Sequence, residues 1–97
     1  MFTFEEIAAA AEALGYQLTI AHDPAAGAHA VTLVLSPETV YGTFVSLTDP
    51  ADVSEEAGDA VAAANTEALM GEVGTLLDRA GAKARVLEMA QRQLAES

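Results

Sequence analysis

The chain has 97 residues, room for one domain, and its 15 Asp and Glu against four Lys and Arg give a net charge of −11, the wrong sign for direct nucleic-acid binding. It has no cysteine, which excludes a disulfide framework, thiolate chemistry and a cysteine-ligated zinc. Twenty-two of its apolar residues are alanine, leaving 28 larger apolar side chains for one core, and a compact domain of this size has a radius of gyration of about 13 Å.

Thr3 followed by Glu6 matches a capping box, and Phe4, Ile7, Ala8, Ala11 and Leu14 recur at helical spacing as far as Gly15. Residues 4–14 are therefore predicted to form an amphipathic helix. From Tyr16 the period drops to two. Leu18, Ile20 and His22 alternate with Gln17, Thr19 and Ala21, then Val31, Leu33 and Leu35 with Ala30, Thr32 and Val34. These are two strands joined through the turn-forming run Asp23-Pro24-Ala25-Ala26-Gly27. Ser36-Pro37-Glu38 breaks the second strand, and Val40 to Leu47, rich in β-branched and aromatic residues, reads as a third.

Thr48-Asp49-Pro50 is a helix-entry signal. The stripe expected to face the core is Val53, Ala57, Val61, Ala64 and Ala68, continued by Leu69, Val73, Leu76 and Leu77 as far as Gly81. Gly71 and Gly74 fall inside it, each costing about 1 kcal/mol relative to alanine, so a kink or break is expected near Met70. Residues 50–80 are then either one kinked helix or two. A final helix is predicted from about Ala82 to Ala95, with Val86, Leu87, Ala90 and Leu94 on one side. The expected fold is α+β, one domain over residues 1–97. An N-terminal helix and a three-stranded antiparallel meander occupy 1–48, and two or three helices in 49–97 pack on one face of the sheet.

The charge is divided in two. All thirteen charged side chains before Arg79 are acidic, and the four bases, Arg79, Lys83, Arg85 and Arg92, lie in the last nineteen residues. No nucleophile elbow, phosphate-binding loop, HExxH helix or EF-hand loop occurs, so the expectation is a protein that is not an enzyme and has no cofactor. His22 and His29 flank the first turn, where antiparallel pairing sets them nearly opposite with Asp23 close by, a ligand set that zinc accepts. The competing reading is two exposed strand ends on an Ala/Gly turn without groups to hold them as ligands, and no metal site is assigned. The first residues lack a basic segment followed by an apolar core, and no stretch approaches eighteen uninterrupted apolar residues, so a cytoplasmic protein without a membrane span is expected.

The helix–three strands–helix order resembles that of double-stranded RNA-binding domains. Those need basic side chains where their second helix meets phosphates, and here that segment carries Asp49, Asp52, Glu55, Glu56 and Asp59. Gly71-Glu72-Val73-Gly74 has the outline of a KH-type GXXG loop with an acid in the clamp and the wrong surrounding topology. Small acidic secretion chaperones also begin with a helix and three strands, and Ala64-Asn65-Thr66-Glu67-Ala68-Leu69 is similar to their following helix. That resemblance covers about 70 residues and ends where those proteins return to strands.

Asp52, Glu55, Glu56 and Asp59 fall at helical spacing on one face that Asp49 and Glu38 extend, with no base before Arg79 to neutralise them. Carboxylates so arrayed imitate a phosphate backbone and fit a Lys/Arg-lined groove. In size and charge the chain resembles small phage-encoded inhibitors of host defence. The function expected is an acidic, viral-type inhibitor that binds a basic, nucleic-acid-handling protein through these six residues. The alternatives are a solvated face that keeps an Ala-rich chain soluble, and an adaptor or chaperone that binds an apolar segment or forms a homodimer. The basic last helix either pairs with a second subunit or, as is simpler for so short a chain, folds back on its own domain.

Overall fold

The computed structural model describes residues 2–48 and 53–96. Helix α1 spans Phe4–Ala13, strands β1, β2 and β3 span Gln17–Asp23, Ala28–Ser36 and Thr39–Val45, and helices α2 and α3 span Glu55–Arg79 and Lys83–Glu96. The predicted α+β order is the one found, with two helices after the sheet. No described helix is long and apolar enough to cross a membrane.

Helix α1 begins at the capping box expected from its sequence. The Glu6 N–H donates to Thr3 Oγ1 at 3.2 Å and the Thr3 N–H to Glu6 Oε1 at 2.8 Å, which satisfies two of the amides a helix start leaves open. Both α1 and α2 end in the same way. The Tyr16 N–H donates to the Ala11 carbonyl and Gly15 to Glu12; likewise Ala82 donates to Leu77 and Gly81 to Asp78. This is the Schellman arrangement, and it needs a residue of positive φ, supplied by Gly15 at 84° and Gly81 at 67°. A Cβ on Gly81 would meet no atom within 4 Å, so Gly81→Ala isolates the backbone cost. It is expected to lower stability by about 1–2 kcal/mol, read as a fall in the urea midpoint with an unchanged m-value.

The sheet is a meander in the order β1-β2-β3, antiparallel throughout. Leu18 lies opposite Leu33 and Ile20 opposite Val31, while Leu33 lies opposite Tyr41 and Val31 opposite Thr43. That register turns Leu18, Val31, Leu33 and Val45 to the buried face. The other face carries Gln17, Thr19, Thr32, Val34, Val40 and Phe44, and Val40 and Phe44 are more than half exposed. The β1–β2 turn is fixed by Asp23 Oδ1, which accepts from the Ala25 and Ala26 amides at 3.0 and 3.3 Å, and by Gly27 at φ 65°. At Ser36-Pro37-Glu38 the pairing shifts register between Val34 and Ser36, the predicted interruption.

The core is one cluster between the sheet and the helices, built around Ile7, Leu33, Val73, Leu76, Leu77 and Val86. Helix α3 folds back on α1. Their buried alanines, Ala10, Ala11 and Ala90, admit a close backbone approach, and Gln93 Nε2 donates to the Ala9 carbonyl at 3.4 Å. Helix α2 runs along β3. The result is a plate of 40 × 34 × 17 Å with a radius of gyration of 14.4 Å, larger than the ~13 Å of a compact domain because α2 is long.

Three expectations for α2 are corrected. The helix is continuous from Glu55 to Arg79, with no break at Met70, since neighbouring turns carry enough inward apolar surface to offset the glycine cost. Its N-cap position is Ser54, with Val53 in a bend before it, so the helix starts later than the Thr48-Asp49-Pro50 signal implies; Asp49 and Pro50 lie outside the described residues. Its inward stripe is Ala57, Val61, Asn65, Leu69 and Val73, whereas Ala64 and Ala68 are exposed.

Candidate functional site

Three contacts set the line of α2 against β3 and the segment after it. Tyr41 lies under the Arg79 guanidinium, 5.9 Å from the ring centroid; Thr43 Oγ1 donates to Glu72 Oε2 at 3.0 Å; and Asn65 clasps the backbone of Thr48. In the clasp Asn65 Nδ2 donates to the Thr48 carbonyl at 2.7 Å and the Thr48 N–H donates to Asn65 Oδ1 at 3.0 Å. One side chain thus satisfies both backbone polar groups of a single residue beyond the last strand. It holds the helix where its inward stripe has only small apolar residues to offer. The sequence marks Asn65 merely as a polar interruption of that stripe, so its role was missed.

Beyond Asn65 the N-terminal half of α2 buries little. Glu55, Glu56, Asp59 and Glu67 are exposed, and the exposed residues among them are mostly Ala60, Ala62, Ala63 and Ala64, too short to screen a carboxylate. Ser54 makes no side-chain bond to the helix start, so Glu55 and Glu56 are the groups that complement its positive end. The ion pairs among the described residues lie elsewhere, Lys83 with Asp78 at 3.4 Å and Arg92 with Glu88 at 2.9 Å. Asp59 and Arg79 are separated by 20 helical residues, about 30 Å along the axis. Folding back has brought α3 onto α1, and among the described residues the carboxylates at the start of α2 make no ion pair.

Of the six residues predicted to bind a partner, Glu55, Glu56 and Asp59 are brought together on the first two turns of α2. Asp49 and Asp52 lie outside the described residues. Glu38 is exposed in the β2–β3 turn, beyond the end of the sheet where Tyr41 meets Arg79. Glu55 is 17 residues before Glu72 and so about 25 Å along α2 from the Thr43 contact in the opposite direction. Glu38 therefore does not extend that face. Glu67, two turns beyond Asp59, does, although it was not selected from the sequence.

His22 and His29 are cross-strand partners, as the turn implied, with ring centroids 4.9 Å apart and planes inclined by 57°. His29 Nδ1 is buried without a hydrogen-bond partner. Asp23 is not their third ligand: strand alternation puts it on the other face and its Oδ1 holds the turn. No group of three His, Asp or Glu suited to a metal occurs among the described residues. Gly71-Glu72-Val73-Gly74 is interior to α2 and forms no loop.

No protein-family model matches the chain, and no curated protein or solved structure is significantly similar to it.

Proposed function

We propose that this protein is a non-enzymatic interaction module in which the projecting half of α2 presents carboxylates to a basic partner, in the manner of a small inhibitor that occupies a phosphate-binding groove. The observation that carries this reading is the set Glu55, Glu56 and Asp59, exposed together on a helix with only Ala57 and Gly58 between them and, among the described residues, no ion pair to any base. A solvated face alone would need no such separation from the four basic residues, which α3 and the end of α2 keep to themselves. The test is capture on immobilised protein, comparing wild type with a D52N/E55Q/E56Q/D59N variant under stepwise salt elution. The variant is expected to bind its basic, nucleic-acid-handling partner at least tenfold more weakly and with a shallower salt dependence. Equal retention by both proteins would refute the reading.

A second reading, an adaptor or homodimer that uses an apolar surface, draws on the uncovered face of the sheet. There Phe44 and Val40 are exposed over a patch without charged neighbours on β2 or β3. In the same experiment it predicts retention at high salt.

A further inference from the structure

Strand β1 is an edge strand, paired only with β2, and a groove of about 590 Å³ runs between its free edge and α1. Phe4 and Ala8 of α1 and Leu18 and Ile20 of β1 supply its apolar lining, and Glu5 and Glu12 stand exposed on the helical side with no basic residue among the lining groups. In an antiparallel ladder alternate backbone N–H and C=O groups of an edge strand point away from its neighbour and can pair with another strand. Several of the usual protections are missing here. Gln17–Asp23 contains no Lys, Pro or Gly and pairs with β2 in unbroken register. The opposite edge differs: β3 has Gly42 at its centre and a register shift near its start.

We infer that the β1 edge is a docking site for an extended basic peptide, which adds as a fourth strand and carries both apolar and basic residues on its α1-facing side, every second position, so that the apolar ones meet Phe4 and Ala8 and Lys or Arg meets Glu5 and Glu12. Charge decides the occupant. A second copy pairing edge to edge would gather Glu5 and Glu12 of both chains around one groove, with each chain already at −11, whereas a basic segment neutralises them. This site is separate from the acidic half of α2 and does not rest on the function proposed above.

The probe is a fluorescein-labelled ten-residue Val/Lys peptide of the repeat Val-Thr-Lys-Thr, which puts Val and Lys on one strand face, followed by anisotropy at low salt, with a Val/Glu peptide of the repeat Val-Thr-Glu-Thr as control. Saturable binding of the Val/Lys peptide alone is expected. It should weaken about tenfold in E5Q/E12Q, which leaves the capping Glu6 in place, and stay unchanged in E55Q/E56Q/D59N. On binding, backbone amides within residues 17–22 should gain protection from hydrogen exchange. The inference is overturned by absence of saturable binding, by equal affinity in E5Q/E12Q, by loss of binding in the α2 variant, or by protection confined to other segments. A dimer in sedimentation equilibrium that already protects the β1 amides and does not yield to the peptide would also overturn it, with a second copy as the occupant.

Discussion

Leu76→Ala is expected to lower the unfolding free energy by about 2–5 kcal/mol, the range for a large aliphatic side chain cut back in a rigid core. Leu76 is fully buried, and the large side chains that share this condition are few: Ile7, Val31, Leu33, Val73, Leu77 and Val86. Domains of this size unfold with about 5–15 kcal/mol, so one truncation removes a large share of the total. The neighbours have little scope to fill the space. Val73 and Leu77 are fixed on the same helix, and Leu33 belongs to the central strand, held by ladders on both sides. The control is Leu94→Ala, half exposed near the end of α3, for which a change within about 1 kcal/mol is expected. Urea titrations of the two variants decide the matter. A loss below 1 kcal/mol at Leu76 would mean that the core relaxes around the cavity, and so that α2 is less firmly seated than its burial implies.

How far the sequence discloses this molecule depends on whether a signal is local. The capping box Thr3–Glu6, the positive-φ glycines 15 and 81, and the turn from Asp23 to Gly27 are decided by residues a few positions apart, and each is realised. Strand register is legible for the same reason, since the short turn sets His22 opposite His29. What could not be read is decided by tertiary contact. A stripe through Ala64 and Ala68 is as good as one through Asn65 until the Thr48 backbone is present to receive the amide, and then the polar residue faces inward. The acidic face was legible as a helical cluster at residues 55–59. Glu38 was misplaced because its position depends on the direction of β3 relative to α2, and the groove beside β1 went unseen because an edge exists only once the strand order is known.

Replacing Gly58, Gly71 and Gly74 together by alanine is expected to stabilise the protein by about 1–3 kcal/mol, since each position gains helix propensity and loses freedom in the unfolded chain. For a domain of this length that corresponds to a rise of roughly 4–8 °C in the thermal midpoint per kcal/mol. The argument requires only that the methyl groups fit. None of the three would meet an atom within 4 Å, and all three residues lie inside the continuous span Glu55–Arg79. The result separates two descriptions of α2. If the helix is unbroken in solution through residues 71–74, calorimetry shows the full gain. If the chain instead bends there, as two glycines three residues apart first suggested, alanine stiffens a segment that must curve and the midpoint stays level or falls. The direction of the bend would matter for binding, because the carboxylates at 55–59 stand more than one full turn beyond the Asn65 clasp and their placement relative to the sheet is transmitted through this stretch. If the proposed binding of a basic partner holds, a stabilised variant with unchanged affinity would show that α2 works as a rigid rod; one that gains stability and loses affinity would show that the glycines are kept for motion.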